Sequence, residues 1–146
     1  MSKFSVSVEV DRPIQHCWDI FMDESRMDEW AIGFKSVETI EGEPMTVGSK
    51  HRMVFEERGK EIVFIETVRV IDPPREFTYD LDHEVMNSTV SMTFESVGAE
   101  STRLSCYTDG RPPKLLLKIM MPFMVPQMKK RQFQQLENLK AIMEAS

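Results

Sequence analysis

Apolar and polar residues alternate from the start of the chain. Phe4, Val6, Val8 and Val10 fall on one side of an extended strand, with Ser5, Ser7 and Glu9 on the other. "DRP" ends this run, Asp11 suits a helix N-cap and Pro13 suits the first helical turn. The period then changes. Ile14, Trp18 and Phe21, with Cys17 beside them, form a helical stripe over "PIQHCWDIFMD". A second short helix is expected over "SRMDEWAIG", with Ser25 as its cap and Gly33 as its stop.

Six strand-like runs follow: "FKSVETIEGE", "VGSKHRMVFEER", "KEIVFIETVRVIDPP", "EFTYDLDHEV", "NSTVSMTFESV" and "STRLSCYT". Turn signals divide them at 41–44, 58–59, 72–74, Gly98 and Asp109-Gly110. Such short separators favour hairpins, so the sheet is expected to be antiparallel. After "DGRPP" the helical period returns, with Phe133, Leu136, Leu139 or Lys140, and Met143 at three-to-four spacing. The fold class is therefore α+β: one strand, two short helices, six strands and a long C-terminal helix. A helix over 122–145 would be about 36 Å long. A curved sheet wrapped around such a helix buries one face against it and leaves room for a cavity. With 146 residues and no linker, repeat or low-complexity segment, the chain reads as a single domain, 1–146.

This order of elements carries a resemblance. The sequence "VDRPIQHCWDIFMDESRMDEWAIGFKSVE" and the closing "QLENLKAIME" resemble the START-related, birch-pollen-allergen-like superfamily. Its small bacterial members are grouped as SRPBCC or polyketide cyclase/dehydrase proteins. The matching positions are Pro13 and Trp18 in the first helix, Trp30 before the second strand, and Leu139, Lys140 and Glu144 at the end. The resemblance covers the whole chain and implies the helix-grip fold, with an apolar cavity between sheet and C-terminal helix. It names no ligand, because the superfamily mixes carriers, cyclases, oxygenase domains and co-chaperones.

Charge and composition narrow the choice. A net charge of −6 argues against a nucleic-acid partner, which calls for a basic stripe. Cys17 and Cys106 are far apart and outside any CxxC pattern, as expected of reduced thiols in a cytoplasmic protein. The N-terminal residues lack the apolar core of a signal peptide. No GxSxG, glycine-rich phosphate loop or GxGxxG is present, and His16, His51 and His83 have no metal-ligand spacing, so neither cofactor nor metal is expected. The compositional anomaly is twelve methionines, flexible side chains suited to adaptable apolar surfaces.

Candidate chemistry is sought where polar groups interrupt apolar faces. His51 shares a strand face with Val47, Ser49, Met53 and Phe55, and His83 shares one with Phe77, Tyr79, Leu81 and Val85. Either face of the strand over 61–71 carries a charge, Arg69 or Glu66, and the more apolar row favours Glu66 as the inward one. A buried charge of that kind requires a partner or ligand. Tyr79 and Tyr107 are candidate donors to a ligand oxygen. The leading expectation is a binding module for a small apolar or aromatic molecule such as a lipid, quinone or polyketide. Its sheet wall would be Phe55, Phe64, Tyr79, Leu81, Met92 and Phe94, with His83 and Cys106. The helix would add Met120, Met124 and Met128. The alternative is a cyclase or dehydratase in which His83 or His51 moves a proton while Glu66 or Tyr107 orients it. A third is a domain presenting its methionine-rich helix to a protein partner.

"KLLLKIMMPFMVPQMKK", residues 114–130, concentrates that methionine signal. A membrane span needs about 20 apolar residues, and Lys118, two prolines and the polar sequence from Gln127 argue against one. Lysines flanking an apolar run leave transient contact with a membrane surface open. Pro122 and Pro126 each remove a backbone donor, so a break is expected near 121–126, setting a short segment at 113–121 apart from the main helix. The segment then reads as an adaptable pocket wall.

Overall fold

The computed structural model describes residues 2–84, 86–111 and 115–146. Val85 and the start of the segment expected at 113–121 lie outside them. Seven strands form one antiparallel sheet: β1 (Ser2–Val10), β2 (Phe34–Glu41), β3 (Lys50–Glu57), β4 (Lys60–Asp72), β5 (Glu76–Asp82), β6 (Asn87–Gly98) and β7 (Ser101–Arg111). Their spatial order is β1-β7-β6-β5-β4-β3-β2, so the first strand closes on the last. Helices α1 (Ile14–Phe21) and α2 (Met27–Trp30), joined through a 3₁₀ turn at Glu24–Arg26, separate β1 from β2. Helix α3 (Leu115–Ala145) packs on β1, β7, α1 and α2. This is the helix-grip arrangement.

The core follows from strand alternation. Val6, Val8 and Val10 of β1, Leu104 and Cys106 of β7, and Val90, Met92 and Phe94 of β6 point inward. They meet Cys17, Trp18, Ile20 and Phe21 of α1, and Leu136, Leu139 and Met143 of α3. Trp18 and Phe21 both stand edge-on to Phe94, with ring centroids 5.2 and 5.4 Å apart. Arg12 ties the α1 entrance to the end of α3 by donating to the Glu144 carbonyl.

Several local expectations are corrected. Asp11 does not cap α1: the N-cap position is Pro13, in extended conformation and with no side chain to offer, while the Asp11 amide donates to Glu144 Oε2 at 2.8 Å. Asp23, not Ser25, caps the next turn, its carboxylate accepting from the Ser25 amide at 3.0 Å. Asp109-Gly110 is no turn, because β7 runs to Arg111 and Gly110 pairs with both Ser2 and Ser88. The expected break at the prolines is absent as well. Helix α3 continues for 31 residues, about 46 Å, with Pro122 and Pro126 inside it. The carbonyls freed are those of Lys118 and Pro122, both exposed residues, where solvent can satisfy them.

Candidate functional site

The inward faces of β3, β4 and β5 continue the core beyond the cover of α3. Register pairs His51 with Glu66 and Glu66 with Leu81, so these three share that face, as do Met53 with Phe64 and Val68 with Tyr79. A bulge between Val68 and Val70 shifts the phase of β4, so that Ile71, opposite Phe77, also points inward. The α1–α2 segment lies over this region without filling it. A cleft remains between them, lined by Phe21, Met22, Glu24, Met27 and Trp30 from the helical side. Val37, Met53, Glu66, Phe77 and Tyr79 line it from the sheet, and Met45 from the β2–β3 connection. It holds about 470 Å³ of unfilled space counted out to its open mouth, of which about 50 Å³ is wide enough for water. The cleft is narrow and mostly apolar.

Two ionisable groups mark its floor. Glu66 is 7% exposed and His51 fully buried, with His51 Nδ1 3.1 Å from Glu66 Oε1. On its other side, His51 Nε2 accepts from the Met45 amide at 3.4 Å, which puts the proton of the neutral ring on Nδ1, toward Glu66. The Nδ1–H is not aligned with the carboxylate oxygen, so the contact is a close polar approach rather than an aligned hydrogen bond, and it becomes an ion pair when the ring is protonated. The Glu66 carboxylate raises the His51 pKa, and burial opposes it. Tyr79, beside them, is pushed well above its ordinary value by burial, so it presents a neutral hydroxyl.

Met45 completes the arrangement. It holds a positive φ of 58°, a backbone region that costs a non-glycine residue about 1–2 kcal/mol. His51 anchors its amide, and the adjoining turn is tied by Ser49 Oγ donating to the Thr46 carbonyl at 2.6 Å. The methionine side chain is thereby held over the cleft.

Of the sequence candidates, the structure brings Glu66 and Tyr79 into the cleft, with His51 against Glu66. Phe55, Phe64 and His83 form an aromatic row with Phe34 on the same sheet face, beyond the cleft, with centroid spacings of 5.8, 5.8 and 5.3 Å along Phe34–Phe55–Phe64–His83. Leu81 packs against the core. Met92, Phe94 and Cys106 are buried in it, filled over by α1 and α3, and do not line the cleft. Burial pushes the Cys106 thiol up to about 12, so it is no thiolate.

Two placements are corrections. Tyr107 is half exposed on the opposite sheet face, because it is one residue out of phase with Cys106, and it cannot orient His51 or His83. Met120 points to solvent, whereas its neighbour Met121 is buried, and neither Met124 nor Met128 lines the cleft. The adaptable methionines are instead Met22, Met27, Met45 and Met53. Residues missed from sequence are Phe21, Met22, Glu24, Met27 and Trp30, which come from a segment read only for its helices, and Val37 and Met45 from β2 and the β2–β3 connection. The Trp30 indole N–H is buried with no acceptor among the described residues. No three His, Cys, Asp or Glu side chains among the described residues converge as metal ligands would.

A curved seven-stranded sheet gripping a long helix, with an apolar cleft over the inward faces of β3, β4 and β5, defines the class as helix-grip. The chain belongs to the family described as polyketide cyclase/dehydrase and lipid transport, which matches residues 1–144. No curated protein matches it in sequence. Among solved structures, it is similar to the Zhui aromatase/cyclase from a Streptomyces species, with TM-score 0.80 and 15% identity over 98% of this chain and 93% of that one. It is similar to a Thermus thermophilus protein at TM-score 0.79 and 14% identity, covering 99% and 98%. A START superfamily protein from Mycobacterium smegmatis aligns at TM-score 0.67 and 19% identity, covering 94% and 98%. At these identities the likeness concerns the fold.

Proposed function

We propose that this protein binds a small, mainly apolar or aromatic molecule in the cleft between α1–α2 and the sheet, with Glu66 fixing a donor group of that molecule. One observation carries the reading: a carboxylate 7% exposed lines a cleft whose other sheet residues are Val37, Met53, Phe77 and Tyr79. A charge in such surroundings is costly without partners, and among the described residues only His51, a cation when protonated, stands within ion-pair distance of it. A ligand hydroxyl or N–H donating to the free Glu66 oxygen would supply what the protein does not. Dispersion against the methionines and aromatic rings supplies most of the affinity. The cleft is too narrow for such a molecule as it stands. Entry requires Met22, Met27 and Met45 to repack, a movement unbranched side chains make easily.

The test is thermal stabilisation across a panel of fatty acids, quinones and aromatic polyketides, with native mass spectrometry of the complex. A true ligand stabilises by about 2.7 kcal/mol at a hundredfold excess over Kd. Glu66→Gln keeps the apolar walls and weakens binding roughly tenfold to a hundredfold, the worth of a hydrogen bond to a charged group. Equal affinity of wild type and Glu66→Gln would overturn the assigned role.

The same pair favours a second reading, an acid–base enzyme of the cyclase or dehydratase kind. Glu66 touches the substrate and takes a proton from it, and His51 behind it holds the carboxylate ionised and oriented. The Streptomyces neighbour, by its name an aromatase/cyclase, supports that class of substrate. Turnover separates the readings: an enzyme loses kcat in Glu66→Gln while retaining ligand, whereas a carrier has no turnover to lose.

A further inference from the structure

The first half of α3 is apolar on the side facing away from the protein. Leu115, Ile119 and Phe123 recur at a spacing of four, which places them on one helix face, and they are 74%, 61% and 82% exposed. Met120 adjoins them, also exposed. The inward side of the same turns is apolar too, with Met121 buried. A helix that is apolar all round is ordinarily enclosed, and here one side is open. Farther along, the usual pattern returns: Leu136, Leu139 and Met143 are buried, and each is followed by a charged residue, Glu137, Lys140 and Glu144. The open apolar face is therefore concentrated at one end of the helix, with Phe133 the one large apolar side chain exposed farther along among the described residues.

Charge is distributed in the same way. Residues 110–136 contain six of the chain's 18 lysines and arginines and none of its 24 aspartates and glutamates. Lys118 lies beside the apolar face, between Leu115 and Ile119, and Lys129 and Lys130 follow it; all three are exposed, and none of them pairs with a carboxylate among the described residues. An otherwise acidic protein thus carries one carboxylate-free basic stretch, coincident with its exposed apolar side chains.

We propose that this half of α3 docks on an anionic lipid surface. The helix lies in the plane of the interface, with Leu115, Ile119 and Phe123 at the boundary between head groups and acyl chains. The lysines sit at the level of the lipid phosphates. Spanning is not involved, since no helix among the described residues is long and apolar enough to cross a membrane. A second copy of this chain fits the face less well. Antiparallel pairing centred on Phe123 would set Lys118 of each copy against Lys129 and Lys130 of the other, a like-charge contact. The proposal goes beyond ligand binding in the cleft and stands independently of it.

Co-sedimentation with lipid vesicles tests it. The wild-type protein should bind vesicles of phosphatidylglycerol mixed with phosphatidylcholine at least about tenfold more strongly than phosphatidylcholine alone, and raised salt should remove the difference. Ile119→Asp combined with Phe123→Asp alters only solvent-facing side chains, so the melting curve should hold while vesicle binding falls about tenfold or more. Lys129→Glu with Lys130→Glu should abolish the preference for anionic vesicles. Equal binding to both vesicle types, or none to either, would overturn the proposal. So would a wild-type dimer that the aspartate variants turn into a monomer, since that assigns the face to self-association.

Discussion

His51 has two neighbours that want different things of it. Glu66 favours the charged imidazolium, whereas the Met45 amide needs an unprotonated Nε2 to accept its hydrogen bond. With the folded pKa raised above the ordinary 6.5, the pair contributes stability in full below that ordinary value. The contribution is lost as pH rises through the raised one. The stability advantage of wild type over His51→Gln, measured by urea unfolding, should therefore shrink as pH rises from about 6 toward 9. In the same titration the Met45 amide resonance should follow His51, because protonation sets donor against donor at Nε2. The cysteines behave oppositely: burial raises both thiols, so neither should react with a thiol reagent at neutral pH until the protein unfolds. At this scale the sequence was partly legible. The apolar row around Glu66 pointed to an inward carboxylate, and its partner His51 was already a candidate. Their juxtaposition was implicit in the turn at 58–59: a two-residue hairpin there pairs Glu57 with Lys60 and so carries His51 opposite Glu66. The turn signal permits that step, which strand-by-strand assignment of faces does not take. Tyr107 is a similar case, because the alternation in "STRLSCYT" already set it opposite Cys106.

Elements meet at two places where backbone, not side chain, decides the outcome. Gly33 joins α2 to β2 at φ 79°, its carbonyl accepts from the Glu56 amide at 2.8 Å, and an added Cβ would come within 2.4 Å of the Glu56 carbonyl oxygen. Gly33→Ala should cost more than about 2 kcal/mol in chemical denaturation, combining a left-handed backbone with a backbone clash. It should also loosen the α2 lid over the cleft. The glycine was legible as a stop signal, although not as a contact point with β3. Pro122 and Pro126 offer the contrast. Their effect was legible as a local cost but not as an outcome, because packing of residues such as Met121, Leu136 and Leu139 holds α3 continuous. Replacing Pro126 by Ala should restore a donor to the Pro122 carbonyl and stabilise the protein, by up to about 3 kcal/mol, read as a higher denaturation midpoint.

Across the whole molecule, the order of elements and their hydrophobic period were sufficient to recover the seven-stranded sheet and its long helix. The location of the cleft was not, because it arises from what α1 and α2 leave uncovered rather than from any periodic signal. One further consequence concerns the pairing of β1 with β7, which joins Ser2 to Gly110 and Val10 to Thr102. The strand made first on the ribosome acquires its neighbour last. At roughly 5–20 residues per second, β1 and the apolar stripe of α1 wait about 5–20 s for β7 to emerge. Contacts of such sequence separation also slow the refolding of the complete chain. During that interval Val6, Val8, Trp18 and Phe21 lack the surface that later covers them, and a nascent chain halted before Ser101 should be readily digested by protease. Protection should appear only once β7 and then the α3 residues Leu136, Leu139 and Met143 have cleared the exit tunnel, so the two elements made last set the timing of the core's closure.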